Sequence, residues 1–167
     1  MRRLFATSLL LLAALALASG PRSARADEGA AAAVRRPLIL VVASDSPVAN
    51  LSIEELRRIF GGDSLAYRPL NLAPGAEERV ALDRILFGRG PDEMARYWID
   101  RKIRGQAGPP RVIPTGRLVA RIVARVPQAI GYLFDDALPP GTKAIRVNGL
   151  ASTDPRYPLL IQTRRSR

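Results

Sequence analysis

Residues 51–63 read "LSIEELRRIFGGD" and have the sequence features of a helix with a marked start and end. Ser52 is a good helix N-cap, and Glu55 follows three residues later, where its carboxylate can accept from the Ser52 N–H as in a capping box. Gly61 and Gly62 end the helix, because glycine adopts a left-handed cap without strain. Four apolar residues recur at helical spacing on one face: Ile53, Leu56, Ile59 and Phe60. The stretch therefore predicts a capped amphipathic helix that packs against a core.

On either side of this helix, short apolar runs alternate with further helices across short loops. Strands are predicted at residues 38–42, 67–72, 112–113, 129–133 and 144–147. A second helix is predicted at 76–87, with Ala81, Leu82, Ile85 and Leu86 inward; a third starts at Pro91, with Met94, Tyr97 and Trp98 inward; a fourth starts at Thr115. This alternation indicates the α/β class, with a sheet layered by helices.

The first 26 residues have the features of a secretory signal peptide. A basic start, Arg2-Arg3, precedes an apolar run over residues 4–18, and Ala24-Arg25-Ala26 has the form of a cleavage site. An N-terminal membrane anchor is the less favoured alternative, because the run is shorter than the ~20 residues that a spanning helix needs. We expect cleavage after Ala26, a periplasmic location and no membrane insertion afterwards. A flexible lead-in at 27–37, one α/β domain at 38–161 and a basic tail at 162–167 should follow.

Composition excludes several kinds of chemistry. The chain has no Cys and no His, so the usual zinc sites and the common nucleophile–base pairs are absent. No metal, cofactor or catalytic role is expected. Carboxylate-only catalysis stays formally open, although the adjacent pair Asp135–Asp136 is better interpreted as a solvated turn.

The charge balance is strongly basic. The net charge is +11 over 167 residues, nearly all of it from Arg, but the charges are spread along the chain rather than clustered. Nucleic acid is therefore not expected as a partner. A solvated basic surface, or weak attraction to an anionic envelope polymer, is the better interpretation.

Three phrases, in this order, resemble the phosphate-type substrate-binding proteins of ABC transporters. "LSIEELRRIFGGD" resembles that family's L-S-x-x-x-L-x-x-I-F-x-G, and "VPQAIGYLF" resembles its P-G-A-I-G-Y, with Gln128 in place of the glycine. "KAIRVNG…YPLLI" is similar to the family's closing strand and Y-P-L segment. "YWIDRKIRGQAGPPR" resembles a phrase of its short, single-lobe members. The resemblance covers roughly residues 38–161.

The resemblance implies one lobe of a periplasmic-binding-protein type II fold, with a central mixed sheet flanked by helices. Full members of the family have two lobes that close on the ligand. Half a cleft cannot enclose a ligand unless something else supplies the other wall. The expected partners are therefore a small oxyanion, an envelope protein such as a transporter, or a second copy of the chain in a homodimer.

The stretch "LNLAPGAEERV", residues 70–80, is where the family would hold its anion. Full phosphate binders have an Arg on this strand and a Ser-Gly-Thr-like turn before the helix, whereas this chain has Asn71 or Leu72 and then Gly75-Ala76-Glu77. Ala76 has no side-chain donor. At ~4 Å and an effective dielectric of ~20, a glutamate beside the anion costs about 4 kcal/mol. Arg79 is the one nearby cation, and whether it reaches the loop stays open.

Two further loops are candidate ligand sites. Ser44, Asp45 and Ser46 follow the first predicted strand and offer two hydroxyls at its carboxyl end. Thr115 opens the fourth helix and offers a hydroxyl beside the helix N–H groups, although N-capping alone explains it. The tentative ligand-binding set is thus Ser44, Asp45, Ser46, Gly75, Ala76, Arg79 and Thr115.

Two functions remain open from the sequence. One is a non-catalytic, exported solute-binding-like protein that binds phosphate or another small oxyanion weakly. The other is a periplasmic protein-interaction module that has kept the fold and lost ligand binding. Convergence of Ser44, Gly75 and Thr115 on one concave face would favour the first, and a face blocked by glutamates would favour the second.

Overall fold

The computed structural model describes residues 34–134 and 138–163. Its strands are β1 Val34–Pro37, β2 Ile39–Ala43, β3 Asn50–Leu51, β4 Arg68–Leu72, β5 Arg111–Ile113, β6 Ala129–Leu133, β7 Thr142–Ala144, β8 Arg146–Val147 and β9 Leu160–Thr163. Its helices are α1 Ile53–Phe60, α2 Glu77–Phe87, α3 Pro91–Ile103 and α4 Gly116–Val123. The predicted signal peptide, residues 27–33, Asp135–Asp136 and residues 164–167 lie outside the described residues.

A five-stranded mixed sheet forms the centre, in the order β5-β4-β6-β2-β7. Strands β4, β5 and β6 run parallel, whereas β2 runs antiparallel to both β6 and β7. Two small ribbons accompany it: β1 pairs with β9 antiparallel, and β3 pairs with β8 in parallel. The predicted α/β class with a central mixed sheet flanked by helices is confirmed.

Two neighbouring residues of β6 show how helices cover both faces of the sheet. Gly131 lies under α4, where an added Cβ would stand 2.3 Å from Cγ1 of Val119. Tyr132 points to the opposite face, as successive strand residues do, and its ring meets that of Phe60 edge-on with centroids 5.7 Å apart. Helix α4 therefore covers one face, and α1 covers the other with α2 packed beside it.

Helix α1 forms as predicted from its capping box. The Ser52 Oγ accepts from the Glu55 N–H at 3.1 Å, and a Glu55 carboxylate oxygen accepts from the Ser52 N–H at 2.7 Å. These bonds, the backbone one above all, lower the pKa of the Glu55 carboxyl below its ordinary value. The helix ends at Gly61, and Gly62 takes the left-handed conformation with φ 84°.

Helix α2 has a different buried face from the predicted one. Leu82 and Leu86 are buried as expected, but Ala81 and Ile85 are only partly buried. The other buried residues of the helix are Arg79 and Asp83. An ion pair thus occupies the inner face of the helix.

Helix α3 begins at Pro91 as predicted. Met94 and Trp98 are buried, and Tyr97 is half-buried. Its hydroxyl donates to the Gly61 carbonyl oxygen at 3.0 Å, so the aromatic pair serves packing.

The edges of the domain differ from the sequence expectation. Residues 34–37, placed in the flexible lead-in, form β1 and pair with β9, which itself extends into the predicted tail as far as Thr163. The predicted strand at 144–147 is divided at Ile145, so that β7 pairs with β2 and β8 pairs with β3. When two segments from distant parts of the chain pair through their backbones, neither segment needs a sequence pattern that indicates its partner. The pairing of β1 with β9 and the division at Ile145 were therefore not predicted from the sequence.

Candidate functional site

One edge of the sheet collects several of the predicted site residues. Because β4, β5 and β6 are parallel, their carboxyl ends meet at this edge, called the carboxyl edge below. The loop with Gly75 and Ala76 leaves β4 there, and Thr115 leaves β5 there. These three residues lie on the loops that open α2 and α4.

The loop of Ser44, Asp45 and Ser46 lies at the opposite edge. Strand β2 is antiparallel to β6, so Ile39 at its start pairs with Leu133 at the carboxyl end of β6. The carboxyl end of β2 therefore meets the amino ends of β4 and β6. The structure does not bring this loop together with the residues at the carboxyl edge.

The start of α2 offers backbone N–H groups and little else. Its N-cap, Ala76, makes no side-chain cap hydrogen bond, and Gly75 faces open space. Glu77 is exposed and Glu78 is half-buried in the first turn. The unpaired N–H groups of a helix start are thus flanked by two carboxylates.

Arg79 does not reach this loop, because its side chain is buried within the domain. Its side chain is 6% exposed, and its Nε donates to the Asp83 carboxylate at 3.1 Å. Its Nη1 donates to the Leu72 carbonyl oxygen at the end of β4, 2.8 Å away. The guanidinium is therefore committed to groups beneath the loop.

A buried tyrosine extends this polar network under the carboxyl edge. The Tyr132 hydroxyl donates to Oδ1 of Asn71 and accepts from the Leu72 N–H at 3.1 Å. Asn71 and Tyr132 are 2% and 0% exposed. Of the two residues that the resemblance places where the family has its Arg, Asn71 is thus bonded within the core, and Leu72 is apolar.

Burial dominates the ionisation of the network. It raises the pKa of the Asp83 carboxyl above its ordinary value, although the Arg79 guanidinium opposes the shift. It also raises the pKa of the Tyr132 hydroxyl well above its usual range. Tyr132 is therefore neutral at every physiological pH and acts as a hydrogen-bonding group of the core.

Thr115 is an N-cap in the structure. Its Oγ1 accepts from the Leu118 N–H at 3.3 Å, so part of its hydrogen-bonding capacity is used within α4. It opens the helix on the face of the sheet opposite α1.

A groove of about 470 Å³ lies at the edge opposite the carboxyl edge. Asp45 and Ser46 line it together with Tyr67, Arg125 and Gln128. Most of its remaining lining is apolar, from the ends of β2 and α4 and the start of β6. This groove is where the Ser44–Ser46 loop contributes to a concave surface.

Gln128, on the wall of this groove, has a left-handed backbone with φ 63°. The position is the one at which the family phrase has glycine, and the positive φ explains that preference. Asn148 also has positive φ, 51°, but its Oδ1 accepts from the Ile53 N–H at 3.0 Å, which stabilises that turn.

Residues 34–134 and 138–163 contain no group of three or more His, Cys, Asp or Glu that could hold a metal ion. Within the same ranges, no helix combines the length and the apolar character needed to cross a membrane.

The residues that sequence reasoning missed are Asn71, Asp83 and Tyr132. For Asp83 a signal existed: Arg79 and Asp83 are spaced i, i+4 and share a helical face with Leu82 and Leu86. A charged pair on an apolar face predicts a buried ion pair. Nothing local marks Asn71, because its partner Tyr132 lies 61 residues away.

Comparison with known proteins identifies the fold. No family model and no curated protein matches the chain. Among solved structures, an ABC-type phosphate transport receptor from Vibrio cholerae is similar with a TM-score of 0.61 and 17% identity, over 75% of this chain and 54% of the receptor. A putative phosphate ABC transporter substrate-binding protein with bound phosphate, from Clostridium perfringens, gives 0.59 and 16%, over 71% of this chain and 48% of that one.

PstS from Borrelia burgdorferi is also similar, with a TM-score of 0.58 and 14% identity over 78% of this chain and 56% of PstS. The chain thus shares its fold with substrate-binding proteins of phosphate transporters, as the three phrases predicted. It spans about half the length of these matched structures.

Proposed function

We propose that this protein is an exported, non-catalytic lobe of the solute-binding type that acts by contacting a protein of the cell envelope, without enclosing a phosphate ion. Its first 26 residues would direct it to the periplasm. The observation that supports this most is the buried Arg79, whose guanidinium bonds to Asp83 and to the Leu72 carbonyl oxygen. The cation nearest to the expected anion site is thus used in the core.

Electrostatic repulsion at the start of α2 favours this proposal over tight phosphate binding. An anion at the first turn would lie beside Glu77 and Glu78, and one such contact at ~4 Å costs about 4 kcal/mol at an effective dielectric of ~20. Moving Arg79 outward to compensate would leave the Asp83 carboxylate buried without its partner. Breaking a buried pair in this way costs about 3–5 kcal/mol.

The placement of the candidate loops supports the same proposal. The Ser44–Ser46 loop and the Gly75 loop lie at opposite edges of the sheet. These two loops therefore do not face each other across a cleft that could enclose a ligand.

A second candidate, weak oxyanion binding, is favoured by the uncapped start of α2. An anion there would accept from backbone N–H groups and interact with the positive end of the helix. In that case the double substitution Glu77→Gln with Glu78→Gln should strengthen phosphate binding, because it removes the repulsion. Glu93→Gln, in the first turn of α3, is the matched control and should leave phosphate binding unchanged.

Thermal unfolding with phosphate, and with sulfate as the control anion, tests the proposal. A ligand present at a thousand times its Kd stabilises by about 4 kcal/mol, which raises the midpoint of a domain of this size by roughly 10 °C. We expect no rise with either anion. A rise specific to phosphate would overturn the proposal and favour the second candidate.

A further inference from the structure

Helix α4 presents a row of three arginines on its outer side. Arg117, Arg121 and Arg125 are spaced four residues apart, and all three are exposed. Arg125 lies in the turn that continues the helix, where the Val126 N–H still donates to the Ile122 carbonyl oxygen at 2.9 Å. At 1.5 Å rise per residue, the three side chains leave the helix about 6 Å apart along one line. We call them the arginine row.

The stretch of sequence that carries the arginine row is basic. From residue 105 to residue 134 the chain has four Arg and no Asp or Glu, and the next acidic residues, Asp135 and Asp136, lie outside the described residues. The other three helices all begin with acidic residues in their first turn, whereas α4 has none. Helices α1, α2 and α3 also hold ion pairs along their own lengths, between Arg57 and Glu54, Arg79 and Asp83, and Arg104 and Asp100.

The arginine row works against the stability of its own helix. Like charges at i, i+4 destabilise a helix by roughly 0.2–0.5 kcal/mol per pair, and the row contains two such pairs. Arg117 also lies in the first turn, where a cation opposes the helix dipole. A locally unfavourable choice of this kind is expected at functional positions.

The row is continuous with the groove at the sheet edge opposite the carboxyl edge. Arg125 lines that groove beside Gln128. Gln128 has a left-handed backbone, a conformation in which glycine would be unstrained. Apolar residues such as Val126 and Pro127 form much of the groove wall. A partner that pairs with the row can therefore also insert an apolar side chain at its end.

We infer that the arginine row and the adjoining groove bind an acidic helix of a partner protein, one with carboxylates at i, i+4 and i+8, the same spacing at which the three arginines leave α4. This inference rests on the proposed function and specifies the surface and the chemistry of the partner. A lipid surface fits less well, because the apolar residues of α4 pack against the core: Val119 and Val123 are fully buried, and Leu118 and Ile122 are partly buried. Arg and carboxylate groups pair in a bidentate geometry, which makes the recognition directional.

The test uses a fluorescent helical peptide with Glu at i, i+4 and i+8 as the probe, and binding is followed by anisotropy at low and high salt. In the variant R117Q/R121Q/R125Q, binding should weaken on the order of tenfold, since three exposed ion pairs, each of modest strength, are lost together. The control variant R58Q/R84Q/R96Q changes the net charge equally at exposed positions of α1, α2 and α3. It should bind the peptide nearly as well as the unchanged protein.

Equal loss of binding in the two variants would overturn the inference, because it would show attraction to overall charge alone. Binding only to vesicles that contain phosphatidylglycerol, and not to the peptide, would also overturn it. The R117Q/R121Q/R125Q variant should in addition unfold at a higher temperature than the control variant, because it relieves the repulsion within α4. Phosphate is absent throughout, so failure here is distinct from failure of the proposed function.

Discussion

Among single residues, Arg79 and Asp83 form a buried ion pair on the inner face of α2. Their side chains are each 6% exposed. Replacing Asp83 by Ala would leave the guanidinium buried with only the Leu72 carbonyl oxygen, so Asp83→Ala should lower the free energy of unfolding by about 3–5 kcal/mol. Urea denaturation measures the change.

The double variant Arg79→Met with Asp83→Leu is the control for this pair. Because it removes both charges together, it should lose less stability than Asp83→Ala alone. If the double variant were the less stable of the two, the buried charges would not be coupled as described.

Gln128 is expected to destabilise the turn that it occupies. A left-handed residue with a side chain costs roughly 1–2 kcal/mol, of which the extra flexibility of glycine offsets a part. Gln128→Gly should therefore raise the free energy of unfolding by roughly 0.5–1 kcal/mol. Asn148→Gly, at the comparable φ of 51°, should lower it, because the bond from Ile53 N–H to the Asn148 side chain is lost.

Residue-scale prediction from the sequence succeeded where a local pattern decides the outcome. Ser52, Glu55 and Thr115 cap their helices as their positions indicate. Arg79 was a candidate ligand because it is the cation nearest to the loop in the sequence. Its burial depends on the carbonyl of Leu72 and on Asp83, and only the second of these was visible as a helical spacing.

At the scale of elements, the capping box of α1 should make stability depend on pH. The pKa of Glu55 is lowered in the folded protein by its bonds with Ser52. Its contribution is therefore present above the unfolded pKa near 4.5 and is lost as the pH falls through the folded value. Glu55→Gln should destabilise at neutral pH, and the difference from the unchanged protein should shrink on acidification.

The variant Ser52→Ala removes the capping hydroxyl and keeps the Glu55 carboxylate, so it measures the contribution of the cap apart from that of the charge. Loss of the Ser52 hydroxyl should cost about 1 kcal/mol at neutral pH. A Glu55→Gln variant whose loss of stability grows on acidification would contradict the capping account.

The close contact between α4 and β6 is possible because Gly131 has no side chain. In Gly131→Ala, the new Cβ would stand 2.3 Å from Val119 Cγ1, and such overpacking costs about 1–3 kcal/mol. Adding Val119→Ala should relieve the clash and recover part of the loss. Gly116→Ala is the matched control, since its nearest neighbour is the Leu133 Cβ at 3.6 Å, and it should be tolerated in calorimetric unfolding.

Element-scale prediction was strongest for helices. All four described helices begin within a residue or two of their predicted starts, because caps, Pro91 and the glycines mark their ends locally. The direction of β2 was not predictable in this way. It is set by pairing with β6, some 90 residues away in the chain, and this direction is what separates the Ser44–Ser46 loop from the carboxyl edge.

For the whole domain, the carboxyl edge of the sheet combines a buried polar network under the Gly75 loop with carboxylates in the first turn of α2. Asn71, Arg79 and Tyr132 are buried and bonded to the core under the loop, and Glu77 lies exposed at its mouth. The fold is shared with phosphate-transporter binding proteins, and the side chains of Arg79 and Asn71 are bonded within the core. The arginine row lies along α4, from the carboxyl edge to the groove at the opposite edge.

The most direct measurement is an NMR titration with phosphate that follows the backbone amides of Gly75–Glu78 and the Nε–H of Arg79. We expect no saturable shift of the amides and an Arg79 Nε–H that exchanges slowly with solvent, because it donates to a buried carboxylate. Saturable shifts of these amides, together with a change at Arg79, would show that the loop and the guanidinium bind phosphate, and the proposed function would then be wrong.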